Sequence, residues 1–153
     1  WRMMVLILWR DESRFEQITC RAVAMLQYMW IVAFGGVLGA ALQCAVSEWV
    51  SVVSFPYANL SVNLVGSFLL GVLAVGLAQN LLSANMALLL GTGVLGAFTT
   101  MSTFSVETVQ MFEQGDGSSA IVYVALTMAF GPILALLGWK LGESLFVWEH
   151  GFM

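Results

Sequence analysis

The chain has 153 residues, of which 60% are hydrophobic and 9% charged, with a formal net charge of −4. A soluble domain carries about 25% charged residues, so this composition reads as an integral membrane protein, long enough for four spans of roughly 20 residues with short connections. So few charges make no acidic binding surface, and no basic patch with interleaved aromatics speaks for nucleic acid. The single histidine, His150, and the separated cysteines, Cys20 and Cys44, argue against a transition-metal site or a disulfide framework. The cysteines read as small apolar fillers and His150, beside Glu149, as a solvated side chain.

Residues 1–28 differ from the rest and hold four of the five basic residues, Arg2, Arg10, Arg14 and Arg21. Residues 3–9 are apolar but too short to span. Phe15, Ile18, Ala22 and Met25 fall at helical spacing, which suits a helix lying in the membrane interface. The charged segment follows the apolar run, unlike a signal peptide. The chain begins with Trp1, and Met25 and Met29 stand just ahead of the first span. Residues 1–28 are therefore expected to be an N-terminal extension, interfacial or an artefact of the assigned gene start, with little role in function.

The first span is expected over 29–46, with Gly35, Gly36 and Gly39; the four-residue spacing of Gly35 and Gly39 bares one helix face for close approach. A short loop follows over 47–57, where Trp49 and Tyr57 suit the membrane–water interface. The second span covers 60–78 and carries Asn63, Gly66, Ser67, Gly71 and Gly76. Residues 79–85 turn the chain. The third span starts near Met86, and its apolar run ends at Gly96. A hydroxyl-rich stretch follows, and the span resumes over 101–111 with Glu107. An apolar half, a Gly/Thr interruption and a second half predict a broken helix whose unwound backbone exposes carbonyls to a cation. Residues 114–119 form a loop. The fourth span covers 120–139 with Tyr123, Thr127, Gly131 and Pro132, and Lys140 follows. The domain is thus 29–142, with a C-terminal tail over 143–153.

Four spans put both termini on one side. Arg10, Arg14, Arg21 and Lys140 lie there, and the loops between spans hold no Lys or Arg, so both termini are expected to face the cytoplasm. If the protein starts at Met29, Lys140 alone remains and either orientation is open.

Polar residues concentrate in three spans: Ser61 and Asn63; Thr99, Thr100, Ser102, Thr103, Ser105 and Glu107; Tyr123 and Thr127. Polar groups at bilayer depth are costly unless buried in protein or lining a pathway. Hydroxyls and an amide donate hydrogen bonds without full charge, so they can replace the water shell of a small anion and still release it. Each also has a plainer use. Hydroxyls can bond back to their own helix or glue neighbours, Asn63 can pair two helices, and Glu107 can turn toward a loop. Phe104 and Tyr123 can simply pack, although an aromatic edge is electropositive and can meet an anion. No nucleophile–base pair appears, so no enzymatic activity is expected.

Three blocks carry a resemblance: Gly35-Gly-Val-Leu-Gly-Ala40, Asn63-Leu-Val-Gly-Ser-Phe-Leu-Leu-Gly71 and Gly91-Thr-Gly-Val-Leu-Gly-Ala-Phe-Thr-Thr-Met-Ser-Thr-Phe-Ser105, with Glu107. In order and spacing, over 29–142, they resemble the CrcB/Fluc fluoride channels. The resemblance implies an all-α, four-span subunit that dimerises antiparallel, with two fluoride pores built from both copies. It also implies a structural, untransported sodium ion (Na+) at the dimer centre, on the backbone carbonyls of Gly96 and Thr99. The fluoride pathway would be lined by Asn63, Ser61, Ser102, Thr103, Phe104, Tyr123 and Glu107. The implied role is passive export of cytoplasmic fluoride across the cell membrane.

Two positions depart from the family pattern: Met101 stands where a phenylalanine is usual, and Gln43 where an arginine is usual. Methionine is apolar and adaptable but has no aromatic edge. A chain with both departures fits pairing with a homologous subunit that keeps those groups, so a non-conducting partner of a heterodimer is the alternative. A small four-span multidrug exporter is a further alternative, but proton coupling calls for an embedded carboxylate that the first span lacks.

Overall fold

A computed structural model of the chain describes residues 2–50 and 55–150, with side chains for 23, 25–50 and 55–146. The expected interfacial spacing of Phe15, Ile18 and Ala22, and the side chains of Cys20 and His150, lie outside those described. The backbone is all helical: α1 (Arg2–Val50), α2 (Tyr57–Ala78), α3 (residues 84–98), α4 (Met101–Glu113) and α5 (Gly117–His150). Four stretches are long and apolar enough to cross a membrane: Met25–Val50, Tyr57–Ala78, Ala84–Glu113 and Gly117–Phe146. This is a multi-pass membrane protein with four spans.

The helices run past several boundaries read from sequence: α2 already begins at Tyr57 and α5 reaches His150. The first loop was expected from residue 47, but α1 continues as helix through Val50. Nothing in 47–50 breaks a helix, so the polar Ser47 and Glu48 extend it beyond the apolar run. The loop over 114–119 is likewise shorter, because Asp116 caps α5 and residues 117–119 already belong to that helix. The Asp116 Oδ1 accepts from the Ser119 backbone N–H at 3.3 Å and the Ser118 hydroxyl at 3.2 Å. Hydrogen bonding by Ser119, first its side chain and then its backbone, holds the Asp116 carboxyl below the usual carboxylate range.

Close backbone approach organises the bundle. α1 packs along α3 and α2 along α5. A Cβ on Gly39 would meet the Val94 carbonyl oxygen, and one on Gly138 the Phe68 carbonyl oxygen. Both contacts exist only because those positions lack a side chain, as lipid-embedded helices with little hydrophobic drive between them require. The apolar core gathers Leu60, Phe104, Met111, Ala120 and Tyr123 between α2, α4 and α5.

The third span is interrupted, as the sequence predicts. Residues 88–95, with Gly91 and Gly93 among them, wind in wider π-type turns. A short turn over 96–98 follows. Thr99 (φ −84°, ψ 145°) and Thr100 (φ −142°, ψ 112°) are then extended before α4 begins. β-Branched threonine suits that backbone.

Candidate functional site

The break is held from α2. The Asn63 side-chain amide meets the Thr100 backbone at two points: Oδ1 accepts from the Thr100 N–H at 2.9 Å, and Nδ2 donates to the Thr100 carbonyl at 3.3 Å. Gly66, one turn along α2, leaves the room that the Thr99 methyl fills. Thr100 then caps α4, its Oγ1 accepting from the Thr103 N–H at 3.2 Å. The same Oγ1 lies 3.1 Å from Ser102 Oγ and 3.0 Å from Thr103 Oγ1.

This arrangement has a consequence for two carbonyls. In a continuous helix the Thr100 N–H would bond the Gly96 carbonyl and the Thr103 N–H the Thr99 carbonyl. Asn63 takes the first donor and Thr100 Oγ1 the second. Gly96 and Thr99 therefore present carbonyl oxygens whose helical partners have been diverted. Gly96 is exposed on the subunit surface.

Asn63 also donates to Asn59 Oδ1 at 3.4 Å, one turn earlier on α2. Asn59, only 5% exposed, extends the network. Its Nδ2 donates to the Tyr123 hydroxyl at 2.8 Å and to Glu107 Oε2 at 2.9 Å. The Tyr123 hydroxyl in turn donates to Glu107 Oε2 at 2.8 Å. Tyr123 is fully buried, with the rings of Phe104 at 5.0 Å and Phe55, edge-on, at 5.7 Å. Among the described side chains no buried polar atom lacks a partner, as burial in an apolar setting demands.

Two grooves flank the asparagine pair. One, of about 280 Å³, runs past Asn63, Gly66, Ser67, Gly96, Thr99 and Met101. The other, of about 290 Å³, is polar and includes Gln43, Ser47, Asn59, Thr103, Glu107, Gln110 and Gln114. Thr103, Glu107, Gln110 and Gln114 recur at helical spacing and make a polar stripe from the break to the end of α4.

The structure thus joins Asn63, Tyr123 and Glu107 through Asn59, with Phe104 packed on Tyr123. Ser102 and Thr103 sit at the cap of α4, exposed on the isolated subunit. Ser61 is not brought in: it is exposed and its hydroxyl donates to its own helix at Ala58, 2.8 Å away. Thr99, Ser105 and Thr127 also bond back to their own helices, at Leu95, Met101 and Tyr123. Sequence reasoning missed Asn59, Gln110 and Gln114. Spacing carries the signal for all three: Asn59 lies four residues before Asn63, and the glutamines continue the Thr103–Glu107 face.

Fold and site define a four-span membrane protein whose broken third helix is pinned by an asparagine and lined by uncharged donors. The chain belongs to the CrcB family: the pattern described as "CrcB-like protein, Camphor Resistance (CrcB)" matches residues 30–139. It is 43% identical over 121 residues to "Fluoride-specific ion channel FluC 2" of Moorella thermoacetica, covering 76% of this chain and 98% of that protein. It is 46% identical over 114 residues to "Fluoride-specific ion channel FluC 1" of Geobacillus kaustophilus, covering 73% and 95%. With "Fluoride-specific ion channel FluC" of Thermus thermophilus it shares 38% identity over 118 residues, covering 75% and 93%. These relatives are channels, and the chain is not an enzyme.

Proposed function

We propose that this chain is a subunit of a fluoride-selective channel in the cell membrane that lets cytoplasmic fluoride leave passively. The observation that carries this reading is the identity, over nearly their whole lengths, to relatives named as fluoride-specific ion channels. The geometry supports it. Between residues 22 and 139 the sequence holds no Lys or Arg, so the donors offered to an anion are hydroxyls, amides and aromatic edges, which bind without trapping. Ser102, Thr103, Phe104, Asn63, Tyr123 and Glu107 line the proposed pathway; Ser61, whose hydroxyl is turned to its own helix, would join it only through the assembled dimer. The physical logic is acid trapping. Hydrogen fluoride is neutral and crosses bilayers, then ionises in a less acidic cytoplasm. An inside-negative potential drives the anion out through a channel, at about 2.3 kcal/mol per 100 mV.

The proposed assembly is an antiparallel dimer, which requires its two subunits to insert in opposite orientations, so that the termini of one face the cytoplasm and those of the other the far side. At its centre Gly96 and Thr99 would hold a structural sodium ion. Their diverted carbonyls are hard oxygen donors, at an exposed Gly96 and a half-buried Thr99, which suits an alkali cation. Two carbonyls do not surround an ion, and a second copy would double the set. The bound ion would supply a fixed positive charge cross-linking the two broken helices.

A second reading has its own observation. Met101 is 62% exposed beside the break, and Gln43 lines the polar groove. A homologous partner with different groups at these places would complete the pathway in a heterodimer. Fluoride efflux from liposomes holding this protein alone, with and without sodium, tests both readings. Fast efflux that discriminates against chloride and weakens without sodium is expected. No efflux from well-folded protein refutes the self-sufficient channel, and restoration by a co-expressed homologue would establish the heterodimer.

A further inference from the structure

The groups of the pathway are joined through a residue that the sequence motifs do not mark. Asn59 is buried, and its side chain bonds three other groups: the amide N–H donors go to Glu107 and Tyr123, and its oxygen accepts from Asn63. Among the described residues it is the one hydrogen-bonded link between the Glu107–Tyr123 pair and the Asn63–Thr100 clamp that holds the break. It also lines the polar groove, while Asn63 lines the other one. Packing alone would be served by an apolar side chain, since an unneeded buried amide costs free energy.

We propose that Asn59 is a positioning residue for conduction. It holds the Glu107 carboxylate turned inward against α2 and α5, so that the polar face of α4 is fixed in register with the break. Glu107 Oε2 receives two short hydrogen bonds from neutral donors, and Asn59 is the one that reaches it from α2. Without that amide, Tyr123 alone restrains the carboxylate. The carboxylate, which already borders the polar groove with Gln43, Gln110 and Gln114, then turns further into it and places its negative charge in the path of an anion. Asn63 loses a partner at the same time, which loosens the Thr100 clamp.

The inference rests on the channel reading, so its test has a readout independent of flux. Infrared difference spectra of wild-type protein against Glu107→Gln isolate the Glu107 carboxylate stretch. Asn59→Ala should shift that band, and so should Asn59→Leu, which keeps most of the volume if the smaller side chain impairs folding. In fluoride efflux from liposomes Asn59→Ala should fall about tenfold, the scale of one lost hydrogen bond to a charged group. An unmoved band in folded variants overturns the proposal, and so does wild-type efflux in Asn59→Ala. A shifted band in a protein that never conducts fluoride leaves the positioning contact standing and refutes the channel reading instead.

Discussion

Removal of the Asn63 side chain tests the link between the helix break and conduction. Asn63→Ala deletes the two bonds to Thr100, at 2.9 and 3.3 Å, and the one to Asn59. At about 1 kcal/mol net for each Thr100 bond, the held conformation loses about 2 kcal/mol relative to its competitors. That is a factor of about 30 in the equilibrium. The Thr100 N–H would then return to the Gly96 carbonyl, and the break would close toward continuous helix. Fluoride efflux from liposomes should therefore fall by up to about thirtyfold. Asn63→Asp separates geometry from charge. Its carboxylate still accepts from the Thr100 N–H, but it can no longer donate to the Thr100 carbonyl or Asn59, and it adds a negative charge to the pathway. Efflux through Asn63→Asp should fall below that of Asn63→Ala although one clamp bond survives. Wild-type efflux in Asn63→Ala, or faster efflux in Asn63→Asp than in Asn63→Ala, would refute the reasoning.

Gly39→Ala should destabilise the bundle by about 1–3 kcal/mol, the cost of overpacking, because the new methyl meets the Val94 carbonyl oxygen; thermal unfolding in detergent measures it. Tyr123→Phe keeps the ring packing on Phe104 but removes the bridging hydroxyl and the acceptor of one Asn59 bond, so it should slow fluoride efflux at a cost in stability of no more than about 1–3 kcal/mol. A large loss of stability with normal efflux would assign Tyr123 to the core alone. Asp116 supplies a pH dependence. Its folded carboxyl titrates below the ordinary value of 3.8, so its cap contributes fully above the unfolded pKa and is lost as pH falls through the lowered folded value. Wild type should thus be more stable than Asp116→Ala at neutral pH, with the difference vanishing in strong acid; a constant difference would show that ionisation plays no part.

The membrane class, the four spans and the interrupted third helix were legible in sequence, because lipid imposes one rule along the whole chain. Twenty apolar residues make a span, and a glycine–hydroxyl block in such a run marks where backbone leaves the helix. Span ends were less legible. Residues 47–50 read as loop from polarity alone, yet a helix leaving the bilayer has no reason to stop at the interface. The site was legible as a set of residue types and not as contacts. Asn63 could equally have paired two helices or lined a path. In the fold it clamps the Thr100 backbone, and no spacing in sequence brings together residues 37 positions apart. Glu107, read as capable of turning toward a loop, is instead held inward by Tyr123 and Asn59.

Composition and the local pattern of small and hydroxyl residues determined by themselves that this chain crosses a membrane four times with a break near Thr99, because burial in lipid and backbone geometry act on neighbours along the chain. The tertiary structure alone decided which polar groups serve their own helix and which serve another. The Ser61, Ser105 and Thr127 hydroxyls are used within one turn, whereas Asn59, Asn63, Tyr123 and Glu107 satisfy one another across three helices. Buried hydrogen bonds need partners at about 3 Å with the right direction, and only the packed bundle sets those distances.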